Sequence, residues 1–81
     1  MLLEVKYIKT KDDEIIVFPA SIYHSELKDW QPKSAGFISF GVSQKTGNPT
    51  CKCYGESISL GLKSHEEDTD LAQRQLNLLD W

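Results

Sequence analysis

AGFISFGVSQKTGNPTCKCYGESISL, residues 35–60, is the stretch whose reading decides the fold. Two apolar-rich runs, Ala35 to Ser43 and Thr50 to Leu60, flank Gln44-Lys45-Thr46-Gly47-Asn48-Pro49. Gly-Asn followed by Pro is strong turn chemistry, so the two runs read as the strands of a hairpin. With the turn centred on Thr46-Gly47 and an even-length loop, Val42 lies opposite Cys51, Phe40 opposite Cys53 and Ile38 opposite Gly55. This register gathers Ile38, Phe40, Val42, Cys51 and Cys53 on one face. It sends Ser39, Lys52, Tyr54 and Glu56 to the other. A slip of one residue would put Lys52 and Glu56 among the apolar set, so burial selects against it.

A second hairpin precedes the first. Leu2 to Lys9 carries Leu3, Val5 and Tyr7 at period two, with Glu4 and Lys6 between them. That is the alternation of a half-buried strand. The polar Thr10-Lys11-Asp12-Asp13 turns the chain. Glu14 to Phe18 then contains Ile-Ile-Val-Phe, which is apolar on both faces and reads as the most buried strand.

Helices occupy the remaining segments. Ser21 can cap a short helix reaching about Trp30, with Ile22, Tyr23, Leu27 and Trp30 on one side. Pro32 closes it from behind. The last element starts at Ser64. Ser64-His65-Glu66-Glu67 has the form of a capping box, in which Ser64 accepts from the Glu67 amide and the Glu67 carboxylate reaches back. Leu71, Ala72, Leu76 and Leu79 share one arc of the following helix. The order β-β-α-β-β-α predicts an α+β fold: a four-stranded antiparallel sheet with both helices on one face, the C-terminal helix packed across it.

The chain has 81 residues and a formal net charge of −3. One domain spanning 1–81 is expected. No apolar run approaches the ~20 residues of a membrane span, and the first residues lack the pattern of a signal peptide. The cytoplasm is the expected compartment, with both cysteines reduced.

Each polar group with possible chemistry also has a packing role. Cys51 and Cys53 could ligate zinc or react as thiols, with His24 and His65 as partners. A Cys-x-Cys pair on a strand is not a zinc knuckle, and free cysteine packs well in cores. The acidic run Glu66 to Asp70 suits the positive end of a helix dipole better than a calcium loop. Gly55-Glu56-Ser57 lacks the second glycine of a nucleophile elbow. No cofactor or metal is expected on these grounds.

Lys6, Tyr7, Lys52 and Tyr54, with Phe37 and Lys33, could form a nucleic-acid-binding sheet face, which the negative net charge disfavours. Trp30 and Trp81 are the candidate anchors of a protein interface, either with an unknown partner or with a second copy. The expected role is a noncatalytic interaction domain. A nucleic-acid-binding module and a thiol or metal site at Cys51 and Cys53 are the alternatives.

Overall fold

The computed structural model describes residues 3–76. Strand β1 spans Leu3–Lys9, β2 Ile15–Phe18, β3 Ser34–Val42 and β4 Pro49–Tyr54. They form a four-stranded sheet in the order β2-β1-β3-β4, with every pair antiparallel. A 3-10 helix, His24–Trp30, joins the two hairpins. Beyond β4 come two short strands, β5 Glu56–Ser57 and β6 Leu62–Lys63, which pair with each other. Helix α1, Asp68–Gln75, closes the described chain. The class is α+β, as the alternation of patterns predicts.

Both faces of the sheet are covered. On one, Tyr7, Ile38, Cys51 and Cys53 pack with Ala72 of α1, and Val5, Ile15, Val17 and Phe40 surround them. On the other, Ile8, Phe18 and Ala35 pack with Ile22 and Leu27 from the 3-10 segment and Leu60 and Leu62 from the β5–β6 hairpin. The expectation of both helices on one face is therefore corrected. The cause lies in β2. Its Ile-Ile-Val-Phe run is apolar on both sides, and a single layer of helices would leave Ile16 and Phe18 in water.

The second hairpin keeps its predicted faces but not its predicted register. Phe40 pairs with Cys51, Ile38 with Cys53 and Val42 with Pro49, a shift of two residues. The turn centres one residue earlier than expected. Ser43 N–H donates to Asn48 O at 2.9 Å, and the Ser43 hydroxyl accepts from the Lys45 and Thr46 amides at 3.2 and 3.4 Å. Gly47, at φ 74°, supplies the left-handed residue that brings the chain back. Pro49 then falls at a non-hydrogen-bonded position, where its missing N–H costs no ladder bond. A shift of two preserves which side each residue faces.

The long strand expected over Thr50 to Leu60 stops at Tyr54. Gly55, at φ 77°, turns the chain, and Ile58 to Gly61 make the tip of the small hairpin. Gly36 on β3 accommodates the crossing, because a Cβ there would collide with the Tyr54 carbonyl oxygen.

Both helix starts also differ from expectation. The helix expected from Ser21 begins at His24. Glu26 Oε2 accepts from the Tyr23 amide at 3.0 Å, and Gln31, at φ 53°, ends the segment. The last helix begins at Asp68 rather than at Ser64. Ser64 is not its N-cap: the Ser64 amide donates to Gly55 O instead. Glu67 holds the N-cap position but makes no side-chain cap bond. The reach-back is made one residue later, by Asp68 Oδ2 accepting from the His65 amide at 3.0 Å. Buried partners of Asp68 set that shift.

Helix α1 also reaches both outer strands. In β3–β4 the Ser43–Asn48 bond sets the parity of the ladder, so Cys51 and Cys53 aim their amides outward. The Cys53 amide donates to Thr69 Oγ1 at 2.9 Å. At the opposite edge the Ile15 amide donates to Gln75 Oε1 at 2.7 Å, and Gln75 Nε2 donates to Asp13 O at 2.6 Å.

Candidate functional site

The densest polar cluster lies between the end of β1, the start of β3 and the first turn of α1. Lys9 follows Tyr7 on the helix-facing side of β1, and Ser34 pairs with Lys9 across the ladder. Tyr7, Ser34 and Asp68 are completely buried, and Lys9 is 3 % exposed. A lone charge at such depth costs several kcal/mol, so its partners decide whether the cluster is tolerated.

Asp68 is well supplied. Its Oδ2 accepts from Tyr7 OH and Ser34 Oγ, both at 2.6 Å, and from the His65 amide. Its Oδ1 has no hydrogen bond and faces Lys9 Nζ at 2.9 Å, an ion-pair contact outside hydrogen-bond geometry. Lys9 Nζ donates to Glu67 Oε1 at 3.3 Å and to His65 Nδ1 at 3.3 Å. An ammonium has no acceptor, so His65 must present an unprotonated Nδ1 in this arrangement.

These contacts set the ionisation states. Burial works against the Asp68 charge, but the His65 amide, Ser34, Tyr7 and Lys9 outweigh it and hold the carboxyl below its usual range. Burial also works against the Lys9 ammonium, and Asp68 and Glu67 outweigh it, raising its pKa. Burial, then the bond to Asp68, pushes the Tyr7 phenol up. The cluster therefore holds one cation and one anion at its centre, with a neutral phenol.

Such a set does little chemistry on a substrate. Lys9 is protonated and so is no nucleophile. The lone pairs of Asp68 face internal donors. His65, Glu67 and Asp68 offer ligand atoms within 4.8 Å of one another, which is metal-like spacing. The Lys9 ammonium already sits against all three, so the chain supplies its own cation there. The arrangement ties α1 to the sheet.

Sequence reasoning set Tyr7 on the apolar side of β1 with Leu3 and Val5, and also weighed it for a nucleic-acid face, but it gave Lys9 no place beside it and so missed this cluster. A signal was present. Both share period-two parity with Leu3 and Val5, so both belong to the apolar side.

The expected site residues are dispersed. Cys51 and Cys53 are free and buried on the α1 side. Burial, followed by the neighbouring Cys51 and Asp68, pushes the Cys53 thiol up to about 12, and burial also raises Cys51. His24 is buried on the opposite face, edge-on to the rings of Phe18 and Phe37. Its Nε2–H donates to Gly36 O at 2.8 Å. Among the described residues, the hydrogen bonds of His24 and His65 go to Gly36, Lys9 and Asp68, not to the thiols.

Lys6, Lys52 and Tyr54 share one face, while Tyr7 lies under α1 on the other and leaves that group. Tyr54 stacks on Phe37, with ring centroids 6.1 Å apart. Lys6 Nζ donates to Ile22 O and lies 5.4 Å from the centre of the Tyr23 ring. Lys33 pairs with Asp13 at 2.8 Å, away from this group. Trp30 is 52 % exposed and Tyr23 69 %. Trp81 lies outside the described residues, as does Leu79.

Among the described residues, no helix is long and apolar enough to cross a membrane. Comparison with family models, with curated proteins and with solved structures returned no match.

Proposed function

We propose that the chain is a noncatalytic protein-interaction domain that binds through the outer side of its 3-10 segment. The observation that supports this is the exposure of Tyr23 and Trp30 beside buried His24 and half-buried Ile22 and Leu27. The inner side chains anchor the segment, so the outer aromatics sit on a packed support. A tryptophan buries up to about 250 Å² when covered. Leaving half of one in water forgoes roughly 3 kcal/mol of burial. Aromatic residues of this kind are the usual anchors of an interface.

Self-association is one form of this reading, and sedimentation equilibrium tests it. A mass that rises with concentration in the wild type, and does not rise in Trp30→Ala, supports it. A monomer at every concentration removes self-association. The proposal includes no cofactor and a cytoplasmic location, where two free cysteines would suit the reducing conditions.

One observation favours a second reading, a nucleic-acid-binding module. Phe37 and Tyr54 stack on neighbouring strands, with Lys6 in the same cross-strand row and Lys52 two residues before Tyr54. Stacked aromatics flanked by cations suit single-stranded bases. Binding of a fluorescent oligonucleotide that weakens with salt and with Tyr54→Ala would support it. The absence of binding at low salt would exclude it.

A further inference from the structure

We propose that the cleft beside Trp30 is a docking site for a single lysine or arginine side chain of a partner peptide. This proposal rests on the interaction-domain reading and names the chemistry of the partner. The cleft lies between the β1–β2 turn and the end of the 3-10 segment, and its lining includes Lys11, Asp12, Glu14, Asp29 and Trp30. It measures about 190 Å³. That is below the roughly 300–1,000 Å³ of a small-molecule site and suits one long side chain.

Charge complementarity selects the occupant. Three carboxylates face one ammonium around an exposed indole. Among the described residues, none of Asp12, Glu14 and Asp29 is engaged in an ion pair, whereas Asp13, Glu67, Asp68 and Asp70 all are. An indole face beside unpaired carboxylates attracts an organic cation on two counts: the ring quadrupole and the net negative field. A purely apolar guest would leave the carboxylates to be partly desolvated without compensation.

Both walls are held in place before any ligand arrives. Thr10 is buried, and its Oγ1 accepts from the Asp12 and Glu14 amides, each at 3.2 Å. Thr10 N–H also donates to Glu14 O at 2.8 Å. On the other wall, Gln31 N–H closes on Lys28 O at 3.0 Å, directly after Trp30. Little ordering of the backbone is needed on binding, which favours a weak but specific contact.

The test uses the full chain carrying Trp81→Phe, which leaves Trp30 as its one indole. Blocked tripeptides Gly-Lys-Gly and Gly-Arg-Gly are titrated against it, with Gly-norleucine-Gly as the uncharged control, and Trp30 emission is followed. The expected result is a saturable shift with the two cationic peptides and none with norleucine. Added sodium chloride should weaken it. Asp29→Asn and Glu14→Gln should each weaken binding about two- to fivefold. Both positions are exposed, so these variants should fold.

Equal binding of the norleucine peptide overturns the proposal. So does unchanged affinity in the Glu14→Gln/Asp29→Asn double variant, the absence of a saturable shift with any peptide, or a shift that follows protein concentration alone. The last result would assign the cleft to a second copy of the chain and leave the interaction-domain reading standing. Peptide binding by a strictly monomeric protein would remove self-association and keep the cleft.

Discussion

Lys9 and Asp68 meet inside the protein because neither could be there alone. Lys9→Met removes the ammonium and strands the carboxylate, which should cost about 3–5 kcal/mol in denaturant unfolding. The double variant Lys9→Met/Asp68→Leu should recover much of that loss, since no charge is then left unpaired. The pair also predicts a pH profile. Asp68 has its pKa lowered in the folded state. Its contribution is present above the unfolded carboxyl value of about 3.9 and is lost as pH falls through the folded value. Lys9 has its pKa raised. Its contribution is complete below the unfolded value of about 10.4 and is lost as pH rises through the folded value. Stability should be level between about pH 5 and 9 and fall on both sides. The double variant should show less of either slope, and equal slopes in both proteins would show that other groups govern the profile.

Among the elements, the departures from expectation come from side-chain hydrogen bonds that the residue pattern does not encode, some local and some to distant partners. Period-two alternation exposed the faces of β1, β3 and β4, because a strand places every second residue on one side. It could not expose the register of β3–β4, since registers two residues apart bury the same set. The Ser43 hydroxyl bonds decide between them. The capping box at Ser64 failed because Asp68, one residue past the motif, is held by Tyr7 and Ser34, from strands 61 and 34 residues away in sequence. Local spacing carries no trace of such partners. The charged cluster was half legible for the same reason: its sidedness was visible, its contacts were not. Ser64→Ala should therefore change stability by less than about 0.5 kcal/mol. Asp68→Asn should cost at least about 1.5 kcal/mol, because it weakens charge-assisted bonds and leaves Lys9 only the exposed Glu67 as counter-charge. A larger loss at Ser64 than at Asp68 would restore the capping box. The thiols of β4 give a second measurement. With Cys53 pushed up to about 12 and both cysteines buried, native protein should react slowly with a disulfide reagent at pH 8, and unfolded protein quickly. Rapid native labelling would show that β4 opens locally.

Across the whole molecule, two apolar layers sandwich the sheet, and only one of them was foreseen as helix-covered. The second is built from the 3-10 segment, expected as a helix on the other face, and from the β5–β6 hairpin, most of which was hidden in a stretch that read as continuous strand. Gly55 and Gly61 were visible there, but either could have marked a bulge as easily as a turn. The role of α1 at the sheet edges has the broadest consequence. Thr69 and Gln75 occupy outward amides on β4 and β2, one at each margin of the sheet. One eight-residue helix thus stands guard at both edges of the four-stranded sheet, where another chain could add a strand. If that helix detaches, two templates for intermolecular pairing open together, and the four-stranded sheet becomes a unit that can polymerise from either end. A chain truncated before Asp68 should then form thioflavin-positive fibrils at concentrations where the intact protein stays clear. Thr69→Val should do so more slowly, and should first appear as faster hydrogen exchange at the Cys53 amide.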